Sequence, residues 1–270
     1  MILTYTSSNG QTFNLKASTF RTRRANFHDF SWSPKAIDQQ YGARVTRFER
    51  SPFVYAALIS VFGTLSERKE QLNILHAAFD SDIRNMTPGK ITHGDYCIDC
   101  YIVSSSTFYE NPYTQNEIDI YCPYPFWYKV HSYSMHPATA ETYDYLDYPY
   151  GFLYDFQATL PGHSVIENPG AGGAEWELTV YGYAEEPFVV IGDQKIGVYA
   201  TVGSDERLVI NSKNKTVIKY GAGEENLFNQ RYKEQSIFNT IPPGEHSVIW
   251  SGHFSFDLKV NEERSEPLWT

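Results

Sequence analysis

Glu117–Val130 reads EIDIYCPYPFWYKV, and its change of character half-way along decides the fold. Ile118, Ile120 and Cys122 alternate with polar residues, the two-residue period of a strand with one buried face. Pro123 and Pro125 then interrupt it inside a run of aromatic residues, Tyr121, Tyr124, Phe126, Trp127 and Tyr128. Proline cannot donate to a sheet ladder, so the strand must end here. A strand that stops in a stiffened aromatic stretch predicts the last rung of one domain and the exit towards a second. On this reading Pro123 and Pro125 rigidify an interdomain hinge at which Phe126 and Trp127 pack.

Upstream of the hinge, Thr4–Leu15 (TYTSSNGQTFNL) predicts a hairpin, with Asn9-Gly10 supplying the turn. Residues 19–43 lose all periodicity. They are basic and aromatic, with Arg21, Arg23, Arg24, Phe27, Phe30 and Trp32, and predict an extended arm. Structureless loops beyond ~12–15 residues are uncommon in compact domains and usually have a task. The strand pattern returns in ARVTRFERSPFVYAALISVFG, and SERKEQLNILHAAFDSDI predicts the one helix. Leu65, Leu72, Leu75, Phe79 and Ile83 mark its buried face, and Ser66 its cap, with Lys69 where a capping-box Glu would stand.

Downstream, short strands recur at regular spacing: HSVIEN, EWELTVYGYA, PFVVIG, KIGVYATVG, ERLVINS, TVIKYG, SIFNTI, HSVIWSG and FSFDLKV. In Glu175–Tyr183, Trp176, Leu178 and Val180 alternate inward, as in a half-buried antiparallel strand. The set predicts an all-β sandwich. The fold class is therefore mainly β: residues 1–130 form a β domain with one helix and an arm, residues 131–270 a sandwich, and the boundary falls within 125–150.

Charge follows the same division. Residues 1–130 carry 13 Lys+Arg against 12 Asp+Glu, whereas residues 131–270 carry 9 against 20. The net charge of −10 argues against a nucleic-acid partner, because phosphate binding needs clustered cations. The start, MILTYTSSNG, has no basic region leading into an apolar one, and the apolar run Phe53–Phe62 is too short to span a bilayer. With three cysteines, an odd count, the expectation is synthesis in a reducing cytoplasm and no membrane insertion.

Motifs for chemistry are weak. His93, Cys97, Cys100 and Cys122 include zinc-ligand types, but Cys97 and Cys100 lie three apart in a strand pattern and face opposite sides. The predicted metal and cofactor content is none. Asp144, Asp147 and Asp155, or Glu175 with Glu177, are carboxylate pairs of the kind glycoside hydrolysis uses, though any exposed strand with two glutamates satisfies that spacing. Sugar stacking offers a rival reading for Trp176, Tyr181, Tyr183 and Trp250; alternation assigns Trp176 to the core instead. The expectation is no catalytic residue.

Several stretches, taken in order, resemble the distal tail protein family of non-contractile long-tailed phages and Gram-positive prophages. These are ILTYTSSNGQTFNL, LSERKEQLNILHAAF followed by PGKITHGDYCIDCYIV, IDIYCPYPFWY, and LVINSKNKTVIKYG through SIFNTIPPGEHSVIWSG. The resemblance implies a ring-forming N-terminal domain and a peripheral galectin-like sandwich of jelly-roll type. It also implies a homohexameric hub in the virion tail, joining the tail tube to tail-tip hub or tail-associated lysin-type proteins, with receptor-binding components on its outer side. The segment around Arg21, Arg23, Arg24, Phe27, Phe30 and Trp32 would then be an inter-subunit arm. A carbohydrate-binding module used in host adhesion is the alternative, and a glycan-active enzyme a more distant one.

Overall fold

The computed structural model describes residues 3–137 and 162–269. The described chain is mainly β with one α-helix. It divides into two units, Met1–Lys129 with Glu263–Thr270, and Val130–Glu262.

The first unit contains β1 (Leu3–Thr6), β2 (Thr12–Asn14), β3 (Phe20–Ala25), β4 (Ser33–Asp38), β5 (Ala43–Glu49), β6 (Phe53–Val61), α1 (Leu65–Arg84), β7 (Gly89–His93), β8 (Tyr96–Tyr109) and β9 (Thr114–Cys122). The strand β10 (Trp127–Met135) starts in it. The pairings that follow are antiparallel. β1 lies between β2 and β7, β7 pairs β8, and β6 lies between β9 and β3. The long β8 serves two ladders. Its first half pairs β7, its second half pairs β9, and a bulge between Ile102 and Ser104 re-aims the strand. Ile98, Cys100, Ile102, Ile118 and Ile120 face one core together with Leu72, Leu75 and Phe79 of α1.

The helix is capped earlier than its sequence suggests. Thr64 is the cap, and its side chain accepts from the Glu67 N–H while the Glu67 carboxylate accepts from the Thr64 N–H at 2.8 Å. This reciprocal capping box replaces the Ser66 cap predicted from sequence, and Lys69 has no part in it. The buried face is Leu72, Leu75 and Phe79; Leu65 and Ile83, predicted on it, are exposed at the two ends. One buried carboxylate ties the helix to the first hairpin. Asp82 accepts from the Tyr5 and Ser7 hydroxyls and from both the N–H and hydroxyl of Ser8. A buried charge is tolerable only with that many donors.

The predicted arm has regular structure. Residues 20–25 are strand β3, and β4 and β5 form a two-stranded hairpin paired only with itself. Its turn runs through Gly42, where a φ of +80° favours glycine. β4 is exposed at every residue, so no buried face imposes on it the alternation by which a strand is recognised.

The proline-rich stretch is also placed differently. Pro123 and Pro125 occupy the turn between β9 and β10, closed by the Phe126 N–H on the Tyr124 carbonyl at 2.9 Å. Trp127 is fully buried in the first unit's core, and Tyr128 pairs Cys97 of β8. The prolines thus close a turn within the first unit, and the division falls at Lys129/Val130, inside β10.

The second unit holds β11 (Gly162–Asn168), β12 (Glu175–Tyr181), β13 (Ala184–Glu185), β14 (Phe188–Ile191), β15 (Gln194–Gly197), β16 (Thr201–Val202), β17 (Arg207–Asn211), β18 (Thr216–Tyr220), β19 (Glu224–Asn226), β20 (Gly244–Trp250) and most of β21 (Ser255–Arg264). One layer runs β19-β18-β17-β12-β21 and the other β11-β20-β14-β15. Trp176, Leu178 and Val180 of β12, Leu208 and Ile210 of β17, and Phe256, Leu258 and Val260 of β21 share one core with Val189, Ile191, Val248 and Trp250 of the other layer. Burying each such side chain stabilises the fold by about 1.5–3 kcal/mol, which is why the alternating strands were readable. SIFNTI, predicted as a strand, is irregular. Its Ile237 and Ile241 are nonetheless buried, and Ile241 forms a single bridge to Ala174.

Candidate functional site

The first unit gathers its unusual side chains around Arg50, in the short break between β5 and β6. The Arg50 guanidinium lies 4.7 Å from the centroid of the Phe126 ring, 5.6 Å from Trp32 and 5.9 Å from Phe30. Trp32 and Phe126 also meet edge to face at 5.8 Å. A guanidinium over aromatic faces is held by the ring quadrupoles, more strongly where water is displaced. Burial lowers the pKa of Arg50, and Tyr55 acts in the opposite sense.

The C-terminal segment completes this cluster. Arg50 donates to the Ser265 carbonyl at 2.9 Å, and the Trp32 indole N–H donates to the Ser265 hydroxyl at 3.2 Å. The Tyr124 hydroxyl donates to Glu263 at 2.7 Å. His28 lies 3.5 Å from the Glu266 carboxylate and stacks on Trp269 with ring centroids 3.8 Å apart. Residues assigned from sequence to an arm (Phe30, Trp32) and to a hinge (Phe126) therefore meet at one place. The residue that joins them, Arg50, was not singled out, because its role depends on three segments distant in sequence.

The remaining predicted residues separate. Phe27 is buried against Tyr55, His93 and Trp127, a core side chain of the first unit. Arg21, Arg23 and Arg24 are exposed on β3, which pairs β6, while the Thr22 N–H on its other side donates to the Leu15 carbonyl at 2.8 Å. Arg23 donates to the Ser60 hydroxyl at 3.0 Å and lies over Phe62 and Tyr113. Charged side chains on an edge strand oppose unspecific pairing.

Beyond the cluster, the hairpin β4–β5 displays Ile37, Tyr41 and Phe48, which are 63%, 86% and 60% exposed. It has no core of its own. An isolated two-stranded hairpin is at best marginally stable in water, so this one presents apolar surface that nothing in the described chain covers.

The other chemical candidates are occupied or buried. Cys97 faces away from Cys100 along β8, so the pair does not converge. Burial pushes the Cys122 thiol up to about 12 and the Cys100 thiol well above its ordinary range, which leaves both as neutral thiols. Burial likewise lowers the pKa of His93, with the nearby His28 acting in the same direction. Glu175 accepts from the Ser212 hydroxyl, and Glu177 accepts from Asn211 at 3.0 Å and Lys259 at 3.1 Å. Asp144, Asp147 and Asp155 lie outside the described residues. Trp176 and Trp250 are core side chains, while Tyr181 and Tyr183 are exposed.

No family model and no curated protein matches the chain. Solved structures do. The SPP1 Dit protein, described as a paradigm of the hub adsorption apparatus in phages infecting Gram-positive bacteria, superposes with a TM-score of 0.65 at 10% identity, covering 98% of this chain and 100% of that one. The fold is that of the SPP1 Dit protein. The phage P2 baseplate in its activated conformation gives TM-scores of 0.63 both with calcium and with strontium, at 12% and 11% identity, over 99% and 98% of this chain. The shared fold thus covers nearly the whole of this chain. No helix among the described residues is long and apolar enough to cross a membrane.

Proposed function

We propose that this chain is a non-enzymatic structural subunit of a phage tail tip. It forms a homohexameric ring that joins the tail tube to tail-tip hub proteins of the lysin type and carries adhesion components on its outer side. The protein is made in the bacterial host cytoplasm and ends in the virion tail. The hub fold over nearly the full chain supports the reading. The observation that carries it is the hairpin β4–β5, which exposes apolar side chains and pairs with no other strand. Covering Phe48, Ile37 or Val45 with a neighbouring subunit would contribute about 1.5–3 kcal/mol each. A head-to-tail ring needs two different patches per subunit, and a projecting hairpin supplies one of them.

The test is the mass of the particle in solution. Mass photometry of the full chain should give a hexamer. Replacing Ser33–Glu49 by a short Gly-Ser linker should give monomers with an intact first-unit core. A monomeric full chain, or a hexamer that survives the replacement, would sink the assignment. The replacement spares β3, whose removal would open the core sheet.

A further inference from the structure

The outer face of the second unit carries a cross-strand row that packing does not require. Tyr181 of β12 stands opposite Arg207 of β17, and Arg207 stands opposite Tyr220 of β18. Side chains paired this way lie about 5 Å apart at Cβ and form one continuous strip. The Arg207 guanidinium lies 5.1 Å from the centroid of the Tyr220 ring. The Tyr181 hydroxyl donates to Asp257 at 3.0 Å, which fixes that ring. The strip borders an open depression of about 550 Å³ that Asp205 and Glu206 also line.

The polar groups there are unevenly used. Glu206 is held in place, accepting from the Gly203 N–H at 2.8 Å and lying 3.3 Å from the Lys219 ammonium. Asp205 and Arg207 have no hydrogen-bond or ion-pair partner among the described residues. One strong acceptor and one strong planar donor thus line the same depression without a hydrogen-bond partner among the described residues, beside two phenol rings. Gly182 and Gly221 also line it. At Gly182 φ is +78° and a Cβ would meet nothing within 4 Å, so the space above the backbone is open.

We infer that this depression binds an uncharged pyranose of a glycan. A sugar ring presents polarised C–H groups on one face, which suit the negative face of an aromatic ring. Around its edge it presents neighbouring hydroxyls, which donate to Asp205 and accept from Arg207. The class is selected by charge. Residues 131–270 carry 20 Asp+Glu against 9 Lys+Arg, so an anionic polymer is repelled at this surface. A shallow, partly polar site fits a sugar better than an apolar ligand, which needs enclosure. The inference goes beyond the hub reading and does not depend on ring formation.

Saturation-transfer difference NMR on the full chain tests it, with methyl α-glucoside, methyl β-galactoside, N-acetylglucosamine and rhamnose as probes and glucuronate as the charged control. Transfer to at least one neutral sugar and none to glucuronate is expected. Arg207→Gln and Tyr220→Ala should each weaken binding about tenfold, the loss expected for one charge-assisted contact. Tyr220→Phe should retain it. Asp205→Asn changes only an exposed side chain, so it tests the acceptor even if Tyr220→Ala disturbs the edge strand; it too should weaken binding. Absence of transfer to all four neutral sugars, equal transfer to glucuronate, or binding unchanged in both Arg207→Gln and Asp205→Asn overturns the proposal.

Discussion

The Trp127 indole N–H donates to the Tyr55 hydroxyl at 3.3 Å inside the first unit. Phe27 and His93 pack on the same ring, edge to face. Truncating a fully buried tryptophan costs about 3–5 kcal/mol, because the cavity left behind refills only in part. In calorimetry Trp127→Ala should lower the transition of the first unit by that amount and leave the second unit's transition in place. A change below about 1 kcal/mol would show that the site collapses freely. The same residue marks a limit of sequence reading. Trp127 follows two prolines, and nothing local distinguishes a tryptophan at a hinge from one that re-enters the core after a tight turn. Phe27 is the parallel case, a core residue embedded in a stretch without periodicity.

At the scale of elements, legibility followed burial of one face. β9 and β12 alternate apolar and polar residues, and both were located from sequence. Of the hairpin β4–β5, β5 lay in a stretch read as strand, but β4 was not located, since each of its residues faces water and only Gly42 signals the turn. The helix was found by its apolar stripe but given the wrong start, because Ser66 is a good cap residue two positions inside the true one. Thr64 and Glu67 form the box, so Thr64→Ala should destabilise the first unit by about 1 kcal/mol, measured by denaturant unfolding. Ser66→Ala should be neutral within a few tenths. An equal effect of the two substitutions would place the cap wrongly. Of the candidate site, Phe30, Trp32 and Phe126 were named from sequence, but their meeting at Arg50 was not legible, since it depends on the return of the chain's last residues.

Over the whole molecule, that return is the organising fact. The first unit is built from both ends of the chain, and the second unit is inserted between Lys129 and Glu263. Removing Glu263–Thr270 deletes the partners of Arg50, Trp32, Tyr124 and His28 at one stroke. Hydrogen exchange on the truncated chain should therefore quicken at Phe53–Val61, next to Arg50, with protection of Leu208–Asn211 unchanged. Equal protection in the full and truncated chains would make the C-terminal segment a passive tail.

The order of synthesis gives this arrangement a further meaning. The ribosome delivers the body of the first unit before the second unit, and its closing segment only after it. Between the two lies the whole of Val130–Glu262, on the order of ten seconds of elongation at about 5–20 residues per second. Throughout that interval Arg50 and Trp32 lack Ser265, and His28 lacks Glu266. A chain released early can fold much of both units yet never acquires these contacts. The segment Glu263–Thr270 thus supplies contacts that the first unit gains only after Val130–Glu262 has been made.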